Sequence, residues 1–550
     1  MPATKVRPFI LEDPAIIWLE YHGKLHGFEP DKSPYDFIDF IAEKAKQFEN
    51  KWTEMIASEA ILICKAGYDI HSVDKVIETL NYMRKGIPVI AQPALWWAPE
   101  RIYGIPDFII HSTWIKEKFP QIILDSVSAP LLKDSGLSGS YIIFDLKFTT
   151  KLEESRKVKD LTNYAAQVRI YSYMMGQLQG LMPPKAYLIT RDRISDPLPV
   201  DITSKLDQPL DKDLAIIRDK FVDIKLNGAN YLPCRDEIVA SNYTNEDERW
   251  MTAKEIIAHE KVPGRDPLLL YQIGISPKNE LNKIGFPNLD SILEQESQSI
   301  PFEKCRGLGP SKSKRIRAII DANRSGNIVN PIPELIPPKK KFEFFIDFEY
   351  FTNINVDFDK QWPSLEGCEM IFVIGVGSQI KDEWSFQVFI AENEDHEKEL
   401  EMFERYIEFL LSKTEGSLTD TSKTALYHWT SAEVWQSKRV FERHNLNDNH
   451  TIKKLPWYDL QKAFLDSPCG IPGAWDYSLK HVAKSLGKYN PEYDTPWPGD
   501  LDKGLRAMIM GWRAYMNSDP LQSEEMNLLI KYLEADCLAL LNILRWMRSS

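Results

Sequence analysis

The chain has 550 residues, of which 43% are hydrophobic and 27% charged, a composition typical of globular proteins that excludes wholesale disorder. Its 80 acidic and 67 basic residues give a formal net charge of −13, which excludes a uniformly basic nucleic-acid coat. The sequence has no long apolar run, no apolar signal core at its N-terminus and only six scattered cysteines. We therefore expect an intracellular multidomain protein with no membrane partner, cytoplasmic (nuclear in a eukaryotic or viral host) and not secreted.

Four regions follow one another along the chain. Residues 1–240 alternate helix-like and strand-like sequence, such as YIIFDLKFTT before TNYAAQVRIYSYMMGQL, which predicts an α/β layered domain. A helical, partly basic region spans 245–330, and a proline- and lysine-rich linker spans 331–341. The strand-like sequence FEFFIDFEYF then opens a C-terminal domain at 342–550.

The N-terminal region carries two carboxylates and a lysine in strand-like surroundings. Asp107 follows a glycine–proline turn in YGIPDFII, and Asp145 and Lys147 are two residues apart in YIIFDLKFT, so both leave the same face of a strand. Carboxylate oxygens can hold Mg²⁺, the metal can activate water, and a lysine can orient the nucleophile or stabilise developing charge. Gln167 and Tyr171 share one face of the next predicted helix.

The motifs G-x-P-D, D-x-K and Q-x-x-x-Y, in this order over about residues 40–185, resemble those of the RecB-like PD-(D/E)xK nucleases. The resemblance implies a restriction-endonuclease-like fold in which Asp107 and Asp145 bind metal and Lys147 is catalytic. It also implies a supporting role for Gln167 and Tyr171.

Two further expectations depend on that resemblance. Such nucleases usually carry an acidic or histidine residue on an earlier helix, for which Glu49 is our choice as a metal ligand and Glu59 its rival. Many relatives also bind an iron–sulfur cluster through four cysteines. Because Cys64 precedes the nuclease motifs and Cys234 follows them with no cysteine cluster nearby, we expect no iron–sulfur cluster.

The C-terminal region contains a second group of acidic residues. Asp347 and Glu349 lie on one face of the strand FEFFIDFEYF, where two like charges among bulky apolar residues are costly unless a cation compensates them. Near the C-terminus, KYLEADCLALLNILRWM predicts an amphipathic helix that places Tyr532 and Asp536 on one face.

This D-x-E and Y-x-x-x-D pair resembles the motifs of DEDD exonucleases in the ribonuclease H-like superfamily, and more narrowly the YprB-type branch that is found fused to RecB-like nucleases. The resemblance covers about residues 342–550, and TALYHWTSAEVW matches the middle motif, which makes Glu433 the third ligand and Asp459 a reserve candidate. Four carboxylates can hold two Mg²⁺ or Mn²⁺ ions about 4 Å apart. By resemblance to the tyrosine-type subgroup, Tyr532 would position the attacking water.

The middle region contains RGLGPSKSKRI, which looks like a helix-hairpin-helix element, and the earlier IGFPNLDSIL resembles a degenerate second copy. A glycine turn at a helix N-terminus offers backbone N–H groups to a phosphate. The alternative is a solvated basic helix. The expected nucleic-acid contacts are Gly307, Gly309, Lys312, Lys314 and Arg315.

These observations predict an α/β protein with a RecB-like domain, a helix-hairpin-helix-like middle and a ribonuclease H-like domain. We expect an Mg²⁺- or Mn²⁺-dependent nuclease that acts on nucleic acid, with DNA favoured over RNA, in repair, recombination or processing. Its C-terminal half would be a 3′→5′ exonuclease. The alternatives are a nucleic-acid-binding protein in which one or both nuclease folds are inactive, and an RNA exonuclease.

Overall fold

The computed structural model describes residues 1–31, 36–56, 58–65, 67–150, 158–231, 248–329, 336–360, 362, 367–380, 383–498 and 504–549. Cys234 and residues 331–335 of the expected linker lie outside this part of the chain. Within it, no helix is both long enough and apolar enough to cross a membrane. The chain divides into unit 1 (Met1–Asp31, Ile41–Ile257 and Val356–Leu365) and unit 2 (Lys32–Phe40, Ala258–Asn355 and Glu366–Ser550).

Unit 1 has an α/β architecture. Its helices are α1 (Arg7–Ile10), α2 (Ala15–His22), α3 (Phe37–Ile56, whose first turn counts with unit 2), α4 (Val73–Arg84), α5 (Ser112–Lys118), α6 (Pro130–Lys133), α7 (Val158–Gln179), α8 (Lys212–Asn227) and α9 (Met251–Ile256). Its strands are β1 (Ala60–Leu62), β2 (Val89–Ala91), β3 (Leu95–Trp97), β4 (Ile102–Gly104), β5 (Phe108–His111), β6 (Tyr141–Lys147), β7 (Lys185–Thr190) and β8 (Leu198–Asp201).

The main sheet of unit 1 has six strands in the order β1-β2-β5-β6-β7-β8, and β3 pairs with β4 separately. In this sheet β5 runs antiparallel to β6, whereas β6 and β7 are parallel and α7 connects them. Parallel neighbours need such a crossover, so the predicted strand–helix–strand order of YIIFDLKFTT, TNYAAQVRIYSYMMGQL and KAYLIT is observed as β6, α7 and β7.

Unit 2 combines a helical segment with a second sheet. Its helices are α10 (Ile275–Lys283), α11 (Leu289–Leu293), α12 (Pro310–Ser325), α13 (His396–Lys413), α14 (Ala432–Arg443), α15 (Leu460–Asp466), α16 (Leu479–Tyr489), α17 (Gly504–Tyr515) and α18 (Glu524–Ser549). Its strands are β9 (Phe342–Phe351), β10 (Met370–Ile380), β11 (Glu383–Ile390), β12 (Thr424–His428) and β13 (Trp457–Asp459).

The sheet of unit 2 has the order β11-β10-β9-β12-β13, with β9 at its centre. The strands β11, β10 and β9 are antiparallel neighbours, and β12 and β13 then run parallel to β9. Opposite Asp347, Gly375 of β10 brings the sheet close to α18, because a Cβ at this position would lie 3.2 Å from Leu533 Cβ. This close approach brings the last helix to the carboxylates of the central strand.

The helical segment of unit 2 is anchored through α12. Arg315 Nε donates to the Leu465 carbonyl at 3.0 Å, and the Tyr477 hydroxyl donates to the Arg315 carbonyl at 3.3 Å. The segment also approaches closely at Gly470, where a Cβ would lie 2.1 Å from the Ala318 carbonyl oxygen. Residues 258–329 therefore belong to the same compact unit as the second sheet.

The third segment of unit 1, Val356–Leu365, lies in the sequence between β9 and β10 but contributes to the core of unit 1. The Phe358 ring is 3% exposed and lies 5.9 Å from the ring centroids of both Phe48 and Phe148. Lys44 Nζ donates to the Val356 carbonyl at 2.9 Å. Both Lys44 and Phe48 belong to α3, so this segment braces the helix that carries Glu49.

We expect Phe358→Ala to lower the free energy of unfolding by about 3–5 kcal/mol, because it leaves a cavity among aromatic rings. Leu25→Ala, at a side chain that is 72% exposed, is the control and should change it by less than about 0.5 kcal/mol. Urea denaturation and hydrogen exchange along α3 measure the effect. Equal stability and equal exchange of α3 in the two variants would show that the segment does not brace this helix.

Candidate active sites

The first candidate centre lies where β5 begins and β6 ends. Phe108 of β5 pairs with Phe144 of β6 in an antiparallel register, so Asp107 and Asp145, which flank this pair, come together. The Leu146 N–H donates to Asp107 Oδ2 at 2.6 Å. The antiparallel register thus joins two carboxylates that are 38 residues apart in the sequence.

Lys147 connects these carboxylates to α7. Its Nζ lies 2.5 Å from Asp145 Oδ2 and donates to Gln167 Oε1 at 3.4 Å, and Gln167 Nε2 donates to the Tyr171 hydroxyl at 3.0 Å. The lysine Nζ also lies 5.3 Å from the centroid of the Tyr164 ring. Asp145, Lys147, Gln167 and Tyr171 therefore form one continuous chain of polar contacts.

Gln92 joins Glu49 of α3 to the same group, and nothing in the sequence singled it out. Its Nε2 donates to Glu49 Oε1 at 2.8 Å and to Asp107 Oδ1 at 3.2 Å. Its φ is 50°, in the left-handed region, and its N–H donates to the Asp107 carbonyl at 2.8 Å. A strained conformation of this kind costs about 1–3 kcal/mol and persists only where its surroundings impose it.

The rival candidate, Glu59, takes part in different contacts. Its Oε2 accepts a hydrogen bond from Trp114 Nε1 at 2.6 Å, and its Oε1 lies 3.1 Å from Lys118 Nζ. Both partners belong to α5. The contact through Gln92 thus associates Glu49, rather than Glu59, with Asp107.

The electrostatics of this centre follow from burial and from its crowded carboxylates. Burial raises the pKa of Asp107 well above its usual value, and the charges of Asp145 and Glu49 raise it further, against the opposing effect of Lys147. Burial by itself would lower the pKa of Lys147, but attraction to Asp145 and Asp107 outweighs it, and the net pKa is raised. The ammonium is therefore protonated at neutral pH.

An open cleft of about 480 Å³ adjoins this centre. Glu49 and Gln92 are among its lining residues, together with the polar side chains of Lys46, Asn50 and Lys65. Ligand clefts commonly enclose about 300–1,000 Å³, so this cleft has the volume of a small ligand site.

The second candidate centre is built on β9 and α18. Asp347 and Glu349 lie on the same face of the strand, and Tyr532 and Asp536 lie one helical turn apart on α18. Glu349, Tyr532 and Asp536 are all buried. Trp497 Nε1 donates to Asp536 Oδ1 at 2.8 Å, which fixes one oxygen of that carboxylate.

Glu433 enters this centre from the first turn of α14. It is buried, and its Oε2 lies 3.2 Å from Nδ1 of His428, the last residue of β12. Asp459, the reserve candidate, pairs with His428 in the β12–β13 register and caps α15 by accepting from the Lys462 N–H at 3.1 Å. Its charge also helps to raise the pKa of Glu433, after the larger effect of burial.

Lys480, on the first turn of α16, contacts Tyr532 directly. Its Nζ donates to the tyrosine hydroxyl at 2.7 Å and lies 4.2 Å from the ring centroid. Burial raises the pKa of Tyr532 well above its usual value, and repulsion from Asp536 and Glu349 adds to this effect. The phenol therefore keeps its proton at neutral pH.

Burial and mutual repulsion disfavour the ionised form of the carboxylates in this centre. Burial raises the pKa of Asp347 and of Glu349 well above their usual values, and in both cases the charge of Asp536 is the next largest cause. Burial also raises the pKa of Asp536 itself. The Lys480 ammonium opposes each of these shifts, so it offsets part of the excess negative charge.

Among the described residues, no three His, Cys, Asp or Glu side chains stand in an arrangement that would hold a metal ion. The chemistry of the donors nonetheless fits a hard divalent cation, since every candidate ligand is a carboxylate. Asp347 Oδ2 is buried and has no hydrogen-bond partner within the described part of the chain. A cation bound here would neutralise the charge that burial and mutual repulsion now oppose.

The candidate nucleic-acid contacts lie around α12. Gly309 precedes this helix and Gly307 has a φ of 82°, and a Cβ at either would meet no described atom within 4 Å. Lys314 is exposed and Lys312 is half-buried, whereas Arg315 uses its Nε within unit 2, as described above. The preceding turn between α10 and α11 also carries a glycine with positive φ, Gly285.

The raised pKa of Asp347 gives stability a defined pH dependence in the absence of metal. A carboxyl group whose pKa is higher in the folded state than its unfolded value of about 3.9 stabilises the fold at low pH, and this stability is lost as pH rises through the folded pKa. In EDTA, we expect Asp347→Asn to stabilise the protein at pH 8 by about 1 kcal/mol or more, with the gain vanishing towards pH 4.

Thermal unfolding across this pH range measures the effect, with Asp519→Asn, at an exposed aspartate, as the control. A gain of the same size at every pH would contradict the electrostatic explanation.

Residues 364–548 match a family model described as the RNase_H superfamily. The match includes Glu433, Tyr532 and Asp536, and it begins after β9, which carries Asp347 and Glu349. No curated protein and no solved structure gives a significant match to the chain. Members of this superfamily are generally nucleases. The C-terminal part of the chain therefore has an RNase H-like, nuclease-type fold.

Proposed function

We propose that this chain is an Mg²⁺- or Mn²⁺-dependent nuclease with two centres that hydrolyse phosphodiester bonds, acting on DNA in repair, recombination or processing. Unit 2 would be a DEDD-type 3′→5′ exonuclease and unit 1 a RecB-like PD-(D/E)xK nuclease. The observation that carries the proposal is the gathering of four carboxylates beside a protonated tyrosine in a domain with an RNase H-like fold: Asp347, Glu349, Glu433 and Asp536.

In unit 2, the four carboxylates would hold one or two divalent ions. Bound ions would supply an activated water molecule and charge stabilisation for the leaving oxygen. Tyr532, protonated and held by Lys480, presents a hydroxyl that can hydrogen-bond the attacking water and orient it. Trp497 donates to one oxygen of Asp536, so this carboxylate is oriented before substrate arrives, and His428 Nδ1 lies 3.2 Å from Glu433 Oε2.

In unit 1, Asp107 and Asp145 would hold the ion, with Glu49 as a further ligand. Because the pKa of Lys147 is raised, this residue acts as a cation and not as a general base. An ammonium 2.5 Å from Asp145 Oδ2 is placed to stabilise negative charge on a phosphate that an ion held by that carboxylate would bind. Gln167 constrains the ammonium from the side of α7.

The α12 region would contribute affinity without sequence preference. The exposed glycine turn at Gly307 and Gly309 leaves room for a phosphate to approach backbone N–H groups, and Lys312 and Lys314 follow within the first two turns of the helix. This arrangement supports the helix-hairpin-helix-like function expected from the sequence. Binding that neutralises phosphates depends steeply on salt.

The central test is the degradation of single- and double-stranded DNA and RNA, labelled at the 5′ or the 3′ end, with Mg²⁺ or Mn²⁺. We expect Lys147→Ala and Asp347→Asn each to weaken a different product pattern by about 10²-fold or more, because the first removes the cation that stabilises developing negative charge and the second removes a metal ligand. Lys185→Ala and Asp448→Asn, at exposed positions, are the matched controls. The double variant should degrade none of the substrates.

The outcomes separate the alternatives. A pattern that survives both substitutions would contradict the assignment of these centres, and loss of activity in only one variant would leave the other unit as a scaffold. If the protein degrades RNA and not DNA, the substrate is RNA and the proposed DNA substrate is wrong. Salt-dependent binding by the parent protein without any cleavage would favour an inactive binding protein.

Salt dependence tests the α12 region separately. We expect the double variant Lys312→Gln, Lys314→Gln to bind nucleic acid more weakly and to reduce the slope of log K against log salt by up to about 2, since each lysine that contacts a phosphate contributes about 0.7–0.9. The control is Lys413→Gln, Lys423→Gln, at two exposed lysines. Identical slopes in the two double variants would leave α12 as a solvated basic helix.

A further inference from the structure

Helix α16 is basic, although the chain as a whole has a formal net charge of −13. Its 11 residues include Lys480, Lys484 and Lys488 and no acidic residue. A spacing of four residues places these lysines on one face of the helix, at intervals of about 6 Å along its axis. We refer to the three residues as the α16 lysine row.

The first two members of the row adjoin the C-terminal centre. Lys480 Nζ donates to the Tyr532 hydroxyl at 2.7 Å. Lys484 Nζ lies 6.0 Å from the centroid of the Trp497 ring, and Nε1 of that ring donates to Asp536 Oδ1 at 2.8 Å. The α16 lysine row therefore begins beside residues of the candidate centre and leads away from them to Lys488.

The two outer lysines are accessible to a ligand. Lys484 and Lys488 are exposed, and neither forms an ion pair with any residue that the structure describes. Beyond the helix, Glu492 and Asp494 are exposed acidic residues, which would repel a polyanion. The positive surface is thus confined to α16, with one end at the candidate centre.

We propose that the α16 lysine row binds consecutive phosphates of a single-stranded nucleic acid whose terminal nucleotide lies at the C-terminal centre. The inference rests on the proposed function, since it assigns a strandedness to the substrate of that centre. A single row of cations matches one sugar–phosphate backbone. Because Glu349, Tyr532 and Asp536 are buried, one strand rather than a duplex can bring a phosphate to them.

The first test is the dependence of the C-terminal activity on substrate length, measured in a Lys147→Ala background that suppresses unit 1. The double variant Lys484→Gln, Lys488→Gln removes the two exposed charges and keeps Lys480 against Tyr532. A dinucleotide has a single phosphodiester, which lies at the centre, whereas a twelve-nucleotide strand also reaches the lysine row.

We expect the double variant to lower the ratio of kcat/KM for the longer strand to kcat/KM for the dinucleotide by about tenfold, since each exposed ion pair contributes up to about fivefold. The ratio is informative because a change in the chemical step or in the folded fraction affects both substrates alike and cancels.

The second test is binding of the twelve-nucleotide strand in EDTA, followed by fluorescence anisotropy at several salt concentrations. We expect the double variant to reduce the slope of log K against log salt by about 1.4, because each contact with a single-strand phosphate contributes about 0.7. The matched control is Lys413→Gln, Lys423→Gln, which removes the same charge from exposed positions of unit 2 and should keep the parental ratio and slope.

A parental length ratio in the double variant, or a slope equal to that of the control, would show that the lysine row does not bind the strand. An equal change of slope with a blunt duplex would overturn the assignment to a single strand. Loss of affinity for polyglutamate but not for the strand would assign the row to an acidic protein instead. If the parent degrades neither substrate, the proposed function fails, and the slope in EDTA still decides whether the row binds phosphates.

Discussion

Carboxylates that share the face of a buried strand repel one another and lose the solvation that water would give them, so each must find a partner or a proton. In unit 2 this constraint acts on the central strand β9, where Asp347 and Glu349 meet Asp536. Neighbouring elements of the fold provide such partners. Gly375 lets α18 approach the sheet, and Trp497 supplies an N–H donor to the carboxylate that α18 brings. The stability of such a site therefore depends on how much of its negative charge the neighbouring groups neutralise.

The two units meet the same constraint differently. Unit 1 places the compensating cation on the same strand as a carboxylate, so that Lys147 and Asp145 form an ion pair within β6. Unit 2 has its cation on a separate element, Lys480 at the start of α16, and the His428 ring at the end of β12 lies 3.2 Å from Glu433. The first arrangement is local and insensitive to the packing of distant parts. The second depends on the correct placement of several helices, so it couples the charge balance of the site to the tertiary structure.

Local periodicity explains which parts of this structure could be predicted from the sequence. The pair Asp347 and Glu349 follows from the two-residue repeat of a strand, and FEFFIDFEYF is β9 without any shift of its ends. The partners that lie far away in sequence could not be predicted in this way. Gln92 reaches Glu49 across 43 residues, and Lys480 reaches Tyr532 across 52, and neither belongs to a pattern with a regular spacing. The sequence likewise leaves Glu49 and Glu59 as alternatives, and only the tertiary contact through Gln92 associates Glu49 with Asp107.

The membership of Val356 and Phe358 in the core of unit 1 has a consequence for how such a gene can evolve. Division of the gene between codons 257 and 258 would separate the helices of unit 1 from part of their own hydrophobic core, which is encoded about a hundred codons downstream. Neither half could then be lost, exchanged or duplicated by itself, unless substitutions replaced the core residues that the other half encodes. Selection on the stability of either unit would thus tend to keep both in one polypeptide.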